Sequence, residues 1–236
     1  MKVIGFDTTT QAATIALLED GSLLMETILN TDKTHSQRLM PMLDLMLRAA
    51  DITLAQIDGI AVASGPGSFT GLRIGMTTAK TLAWSLAKPL AAVPTLDALA
   101  LNAQGAAGCW ICPVLNARRN QIYTALYKQS HGSIQRQSEY MAIGPEGLID
   151  LLKHLDGQVV LLGDAVPEYA QVIIDSLGDR VHVLTPPNWL PRAAHVAYLG
   201  WDKLKKGESD DAVMISPFYI RPSEAELKLA AKKVCE

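Results

Sequence analysis

An excess of charge of either sign is missing from this 236-residue chain, in which 21 Lys and Arg stand against 24 Asp and Glu. Split at residue 105, the first part holds 7 basic and 9 acidic residues, the second 14 and 15. Neither part is a basic module, which argues against tight autonomous binding of a nucleic-acid backbone. Cysteine is scarce: Cys109, Cys112 and Cys235 do not make a disulfide framework. Long apolar runs are absent too. The longest uncharged stretch, Ala98 to Ala117, is broken by Asn102, Gln104, Gly105, Gly108 and Pro113, so it is not a membrane helix. Only four residues separate Lys2 from Asp7, so no signal peptide is expected at the N-terminus. These absences lead to the expectation of a soluble cytoplasmic protein with no membrane partner.

Core material is plentiful. Hydrophobic residues make up 49% and charged residues 19%, a globular balance. A chain of this length folds as one large domain or two small ones. It can bury enough surface to dispense with disulfides and metals.

The order of elements is informative. Val3 to Phe6 reads as a strand ending at Asp7, and Ala12 to Leu18 as a second. Asp20-Gly21 is a hairpin signal, and Leu23 to Leu29 returns. A helix follows from about Thr34 to Ala50, with Pro41 expected to kink or break it. Gly59 to Ala63 is a short strand, Leu72 to Ala87 a helix, Leu90 to Val93 a strand, and a helix starts at Thr95. Three antiparallel strands, then helix, strand, helix, strand, is the ribonuclease-H-like order, with a mixed sheet.

The order repeats. Strands are expected at Ile111 to Leu115, Gln121 to Tyr127 and Ser133 to Ala142. A helix near Pro145 to His154, a strand at Val159 to Leu162, a helix at Pro167 to Leu177 and a strand at Val181 to Leu184 follow. A shift of 109 positions sets Phe6-Asp7 on Leu115-Asn116 and Ala16-Leu17 on Ala125-Leu126. The fold class expected is therefore α/β, with duplicated ribonuclease-H-like lobes over 1–105 and 106–236, mixed sheets and flanking helices. That is the actin-like (ASKHA) architecture. The segment from Pro191 to Lys206 can pack on either lobe.

Actin-like ATPases grip phosphate with one hairpin per lobe, each with an Asp at the strand end and a Gly in the turn. The first lobe offers Asp7, Thr8, Thr9 and Thr10, without Gly. The second offers Asn116-Ala117-Arg118-Arg119-Asn120, with neither carboxylate nor Gly. Gly65-Pro66-Gly67-Ser68-Phe69-Thr70-Gly71 lacks the Lys of a P-loop, and Ser68 is not flanked as a nucleophile elbow. Its lead into a helix favours weak anion affinity, although a tight structural turn explains the same residues. Asp7, Thr8, Thr9, Gly65, Gly67, Ser68, Thr70 and Gly71 are the candidate vestigial phosphate or ligand loop. Two-metal nuclease chemistry needs clustered carboxylates, and only Asp7 and Asp44 are candidates. His35 has Leu39, not His, at i+4, and His131, His154, His182 and His195 lack ligand spacing, so no metal site is expected. Cys109 and Cys112 have CxxC spacing but fall in a strand, where they point to opposite faces.

The two helices of the first lobe carry more apolar surface than one core-facing stripe requires. Leu39, Met40, Leu43, Met46 and Leu47 on the first, with Gly75, Thr78, Ala79 and Leu82 on the second, are expected to form an interface between chains.

Gly65 to Gly75, with Ala79-Lys80, closely resembles the signature of the TsaB (YeaZ) family of bacterial tRNA threonylcarbamoyladenosine biosynthesis subunits. Gly5-Phe6-Asp7-Thr8, Thr34-His35-Ser36, Asn116-Ala117-Arg118, Gly163-Asp164, Tyr219-Ile220-Arg221 and Ser223-Glu224-Ala225-Glu226 agree with it. The resemblance covers essentially the whole chain. It implies a paralogue of the catalytic subunit TsaD that has lost catalysis: of TsaD's helical histidine pair only His35 remains, and Asn116 replaces the family's usual Asp. It implies an activating subunit that pairs with TsaD, is joined by the ATPase TsaE, and self-associates when alone. The complex transfers a threonylcarbamoyl group to N6 of the adenosine beside the anticodon. Contact with tRNA is then indirect, no cofactor is intrinsic, and ATP or ADP binds at most at an interface shared with the partner. A nucleotide-binding enzyme and a glycoprotease-like peptidase are the alternatives.

Overall fold

The computed structural model describes residues 1–130 and 132–221. His131, Cys235 and the block Ser223-Glu224-Ala225-Glu226 lie outside them. Two sheets, each with helices against it, make up the molecule.

The first sheet contains β1 (Lys2–Asp7), β2 (Ala13–Glu19), β3 (Ser22–Leu29), β4 (Gly59–Gly65) and β5 (Leu90–Pro94), in the order β3-β2-β1-β4-β5. β1 to β3 are antiparallel neighbours, and β4 and β5 extend the sheet in parallel, as crossover helices require. Asp20 and Gly21 turn the β2–β3 hairpin with φ of 50° and 80°, the left-handed pair that matches strand twist.

Helices α1 (His35–Ala49) and α2 (Phe69–Leu86) cover one face of this sheet. Leu39, Met42, Leu43 and Met46 of α1 recur at three- and four-residue spacing and meet Ile4, Phe6, Ile15 and Leu17 of the strands. Each such side chain stabilises the fold by about 1.5–3 kcal/mol when fully buried. This corrects the expected interface. Leu39, Leu43, Met46, Gly75 and Ala79 lie inside the chain's own core, while Met40, Leu47, Thr78 and Leu82 retain exposure. Pro41 does not end α1, which continues to Ala49. It sits on the exposed side, so the carbonyl it leaves unbonded at Gln37 faces water.

A second layer covers the opposite face. Helix α6 (Ala193–Lys205), from the end of the chain, lies across β1, β2, β4 and β5. Small residues permit its approach. A Cβ on Gly5 would stand 2.6 Å from the Ala193 carbonyl, and one on Gly200 2.3 Å from Ala61 Cβ. Glu26 of β3 anchors the helix, accepting the Ala194 N–H at 3.0 Å and pairing with Arg192. The Pro191 to Lys206 segment thus packs on the first sheet.

The second sheet runs β10-β7-β6-β11-β12, with β8 pairing β6 and β9. Its strands are β6 (Trp110–Asn116), β7 (Ile122–Thr124), β8 (Tyr127–Ser130), β9 (Ser133–Arg136), β10 (Met141–Ile143), β11 (Val159–Leu162) and β12 (Val181–Val183). The single strands expected over Gln121 to Tyr127 and Ser133 to Ala142 are each split in two. At the first break the Leu126 N–H bonds the Ser138 hydroxyl at 2.9 Å, and the Leu126 carbonyl accepts from Gln137 at 2.7 Å, which takes both groups out of the ladder. Helices α4 (Pro145–Lys153) and α5 (Val166–Leu177) cover one face, and α3 (Thr95–Ala100) packs on the other. Both lobes thus follow the duplicated actin-like plan. No described helix is long and apolar enough to cross a membrane.

Candidate functional site

The loops at the ends of β1 and β4 face those at the ends of β6 and β11 across a cleft of about 720 Å³. Of the vestigial-loop set, Thr9, Gly67, Ser68 and Thr70 line the first wall, and Asp7, Thr8, Gly65 and Gly71 do not line the cleft. Asp7 ends β1 and is only 1% exposed. Its Oδ1 accepts from the Thr9 N–H at 2.8 Å and the Thr9 hydroxyl at 2.7 Å. Its Oδ2 is buried with no hydrogen-bond partner among the described residues. Burial pushes the carboxyl up to about 6 against the Thr9 bonds, and the Asp164 charge adds to the rise.

The glycines of the loop have a packing reason. A Cβ on Gly67 would lie 2.5 Å from the Thr9 carbonyl, on Gly71 1.9 Å from the Thr8 carbonyl, and on Gly75 2.4 Å from the Thr8 hydroxyl. The Ser68 N–H donates to the Thr9 carbonyl at 2.7 Å, and the Thr8 hydroxyl to the Gly71 carbonyl at 2.7 Å. Gly71 and Gly75 therefore seat α2 on the Thr8-Thr9 turn. Ser68 caps α2, its hydroxyl accepting the Gly71 N–H at 3.3 Å. Thr70 is exposed at the cleft.

His35 uses both ring nitrogens. Nε2 donates to the Thr10 carbonyl at 2.9 Å, and Nδ1 accepts from Arg38 at 3.3 Å. Burial and the Arg38 charge lower its pKa, so the ring stays neutral. Among the described residues no group of three or more His, Cys, Asp or Glu could hold a metal ion. Cys112 is buried, and its burial pushes the thiol up to about 11, which leaves it unreactive.

The second wall differs. Asn116 ends β6, its N–H donating to Asp164 Oδ1 at 2.8 Å and its side-chain amide to Glu168 at 2.6 Å. Arg118, Arg119 and Asn120 then take left-handed φ of 63°, 53° and 55°. The sequence marks Tyr219-Ile220-Arg221 only as part of a family signature and gives it no structural role, yet this segment ties the walls together. The Phe218 N–H donates to the Ser64 carbonyl at 2.7 Å, Tyr219 stacks on Phe69 at 4.0 Å, and Arg221 donates to the Ala117 carbonyl at 3.1 Å. A contact between residues 150 positions apart has no local pattern. Its signals in the sequence were the two motifs that hold Phe69 and Tyr219, which do not say that the two rings meet.

The TsaD family, described as tRNA N6-adenosine threonylcarbamoyltransferase, matches residues 23–228. The tRNA threonylcarbamoyladenosine biosynthesis protein TsaB of Bacillus subtilis is 37% identical over 97% of both chains. The crystal structure of YeaZ from Pseudomonas aeruginosa superposes with a TM-score of 0.77 and 25% identity, over 93% of this chain and 99% of that one. Component A of (R)-2-hydroxyglutaryl-CoA dehydratase from Acidaminococcus fermentans shares the fold alone, with a TM-score of 0.51 and 11% identity over 87% of this chain and 99% of that one. The chain belongs to the TsaB (YeaZ) family of tRNA threonylcarbamoyladenosine biosynthesis proteins.

Proposed function

We propose that the chain is a non-catalytic subunit that binds a TsaD-type partner and holds it in its active form. The partner transfers a threonylcarbamoyl group to N6 of the adenosine beside the anticodon. The observation that carries this reading is a pair of half-exposed stripes left over once the core is filled. Met40, Asp44 and Leu47 share one face of α1, and Ile74, Thr78 and Leu82 one face of α2. Met40 is 49% exposed, and Leu47, Ile74, Thr78 and Leu82 are half-buried. A partner helix laid along this seam would remove that apolar surface from water. The buried Asp7, the fully bonded His35 and the capped Ser68 favour a subunit that supplies no chemical group. In this reading the same face makes a homodimer when the chain is alone, TsaE joins the pair, tRNA is touched only through the partner, ATP or ADP binds only at a shared interface, and the complex is cytoplasmic.

The test is to mix the chain with its TsaD-type paralogue and measure mass by size exclusion with light scattering. A one-to-one heterodimer replacing the homodimer is expected, weakened by Met40→Lys. An unchanged homodimer, or a heterodimer indifferent to a charge at Met40, would overturn the assignment.

A further inference from the structure

Three stretches of backbone pass between the lobes. The first follows α3, over residues 101–109, and the second precedes α6, over 184–192. These two run side by side: the Asn102 side-chain amide donates to the carbonyls of Asn188 at 2.8 Å and Leu190 at 2.9 Å. Two adjoining crossings alone make a hinge, and lobes joined in that way move against each other by default.

The third stretch, residues 210–221, changes this. It starts on the free edge of β5, where the Asp210 N–H donates to the Leu90 carbonyl at 2.8 Å and the Asp210 carboxylate accepts the Ala92 N–H at 2.7 Å. Helix α2 holds its middle. Lys80 donates to the carbonyls of Val213 at 3.0 Å and Ile215 at 2.8 Å, and Arg73 to the Tyr219 hydroxyl at 3.2 Å. Phe69 stacks on Tyr219 with the ring planes 2° apart. Gly65 leaves room for the crossing, since a Cβ there would stand 2.3 Å from the Phe218 carbonyl. The far end is held by the second lobe. The Phe218 ring lies 5.5 Å from that of Tyr140, whose hydroxyl donates to Asp97 Oδ1 at 2.8 Å. Ile220 packs against the cluster that contains Leu115, Ala117 and Tyr123, and Arg221 bonds the Ala117 carbonyl.

We propose that residues 210–221 are a strap that fixes the angle between the lobes, so that the cleft keeps one opening. Rotation about the paired crossings would draw Ala117 away from Ser64, and the strap is bonded to both. Helix α2 gives the strap one flank, through Phe69, Arg73 and Lys80, and keeps Ile74, Thr78 and Leu82 for the seam proposed above. The strap does not depend on that seam.

Pulsed spin-label spectroscopy tests this on the full chain, with labels at Ala55→Cys and Gln171→Cys, both exposed and on opposite lobes. Cys109→Ser and Cys235→Ser remove competing thiols, and excess unlabelled chain suppresses signals between copies. One narrow distance distribution is expected. Ile220→Ala with Arg221→Ala releases only the second-lobe end, and the distribution should widen about twofold. Arg221→Ala alone keeps Ile220 in place, should widen it less, and serves where the double variant does not fold. Circular dichroism matching the parent separates release of the strap from loss of fold. A broad or two-peaked distribution in the parent, or folded variants as narrow as the parent, would overturn the strap.

Discussion

The turns after β1 and β6 occupy equivalent places in the two lobes and treat the carboxyl group in opposite ways. The first buries Asp7 with one oxygen unpartnered. The second puts an amide, Asn116, at the strand end and brings its acids from the far loop and helix, as Asp164 and Glu168. The backbones of the two turns differ as well: Arg118, Arg119 and Asn120 take left-handed φ, and no residue from Thr8 to Ala12 does. The ends of β4 and β11 are alike: Gly65 and Gly163 stand there at the same φ of 121°, each facing a backbone carbonyl. The two lobes therefore share a glycine at these strand ends and differ in where their charges stand.

The sharpest way to break the comparison is at α2. Gly71→Ala places a carbon against the Thr8 carbonyl and should cost about 3 kcal/mol or more, read from urea unfolding. In the second lobe Gly147→Ala meets only Ile143 Cβ at 3.8 Å and should be neutral or stabilising by up to about 1 kcal/mol. Similar losses at both sites would show that α2 is not seated on the Thr8-Thr9 turn.

Asp7 gives the next effect. Its folded pKa of about 6 stands above the ordinary 3.8, so the folded chain holds this proton more tightly than the unfolded one. Stability from this group is complete below about pH 4, falls between about pH 4 and 6, and stays low above that. Asp7→Asn should therefore raise stability at pH 8 by about 2–3 kcal/mol and lose that advantage by about pH 4. A destabilised variant at pH 8 would mean that the carboxylate has a partner.

The mirror experiment is Asn116→Asp. It removes the amide that donates to Glu168 and adds a third acid beside Asp164 and Glu168. A loss of about 1–2 kcal/mol at pH 8 is expected, shrinking as the pH falls and the acids protonate. Smallest is Tyr219→Ala, which unstacks Phe69 and should cost about 1 kcal/mol, with faster amide exchange at Phe218.

Much of this was legible in the residues. The shift that set Phe6-Asp7 on Leu115-Asn116 found the two strand ends that face the cleft, and Asp20-Gly21 marked its hairpin. The α1 and α2 faces were misread for a physical reason. Periodicity shows that Leu39, Leu43 and Met46 share a stripe, but not whether a sheet of the same chain or another chain covers it. Gly71 and Gly75 likewise signalled a close neighbour without naming it, because that neighbour, Thr8, lies more than sixty residues away. Arg118 was legible as an oddity in a turn. Arg221 was legible only within the motif Tyr219-Ile220-Arg221; its reach to the Ala117 carbonyl was not, because only the folded C-terminal segment brings them together.

Helix α6 has a consequence for the order of events on the ribosome. It covers β1, β2, β4 and β5 on one face of the first sheet, beside α3, yet ~100 residues separate it from β5. At about 5–20 residues per second, the first lobe waits roughly 5 to 20 s with its alanine- and glycine-rich face uncovered. The first lobe is thus the earlier made and the later finished, and a nascent chain cut after it would display an open sheet face for chaperones to find.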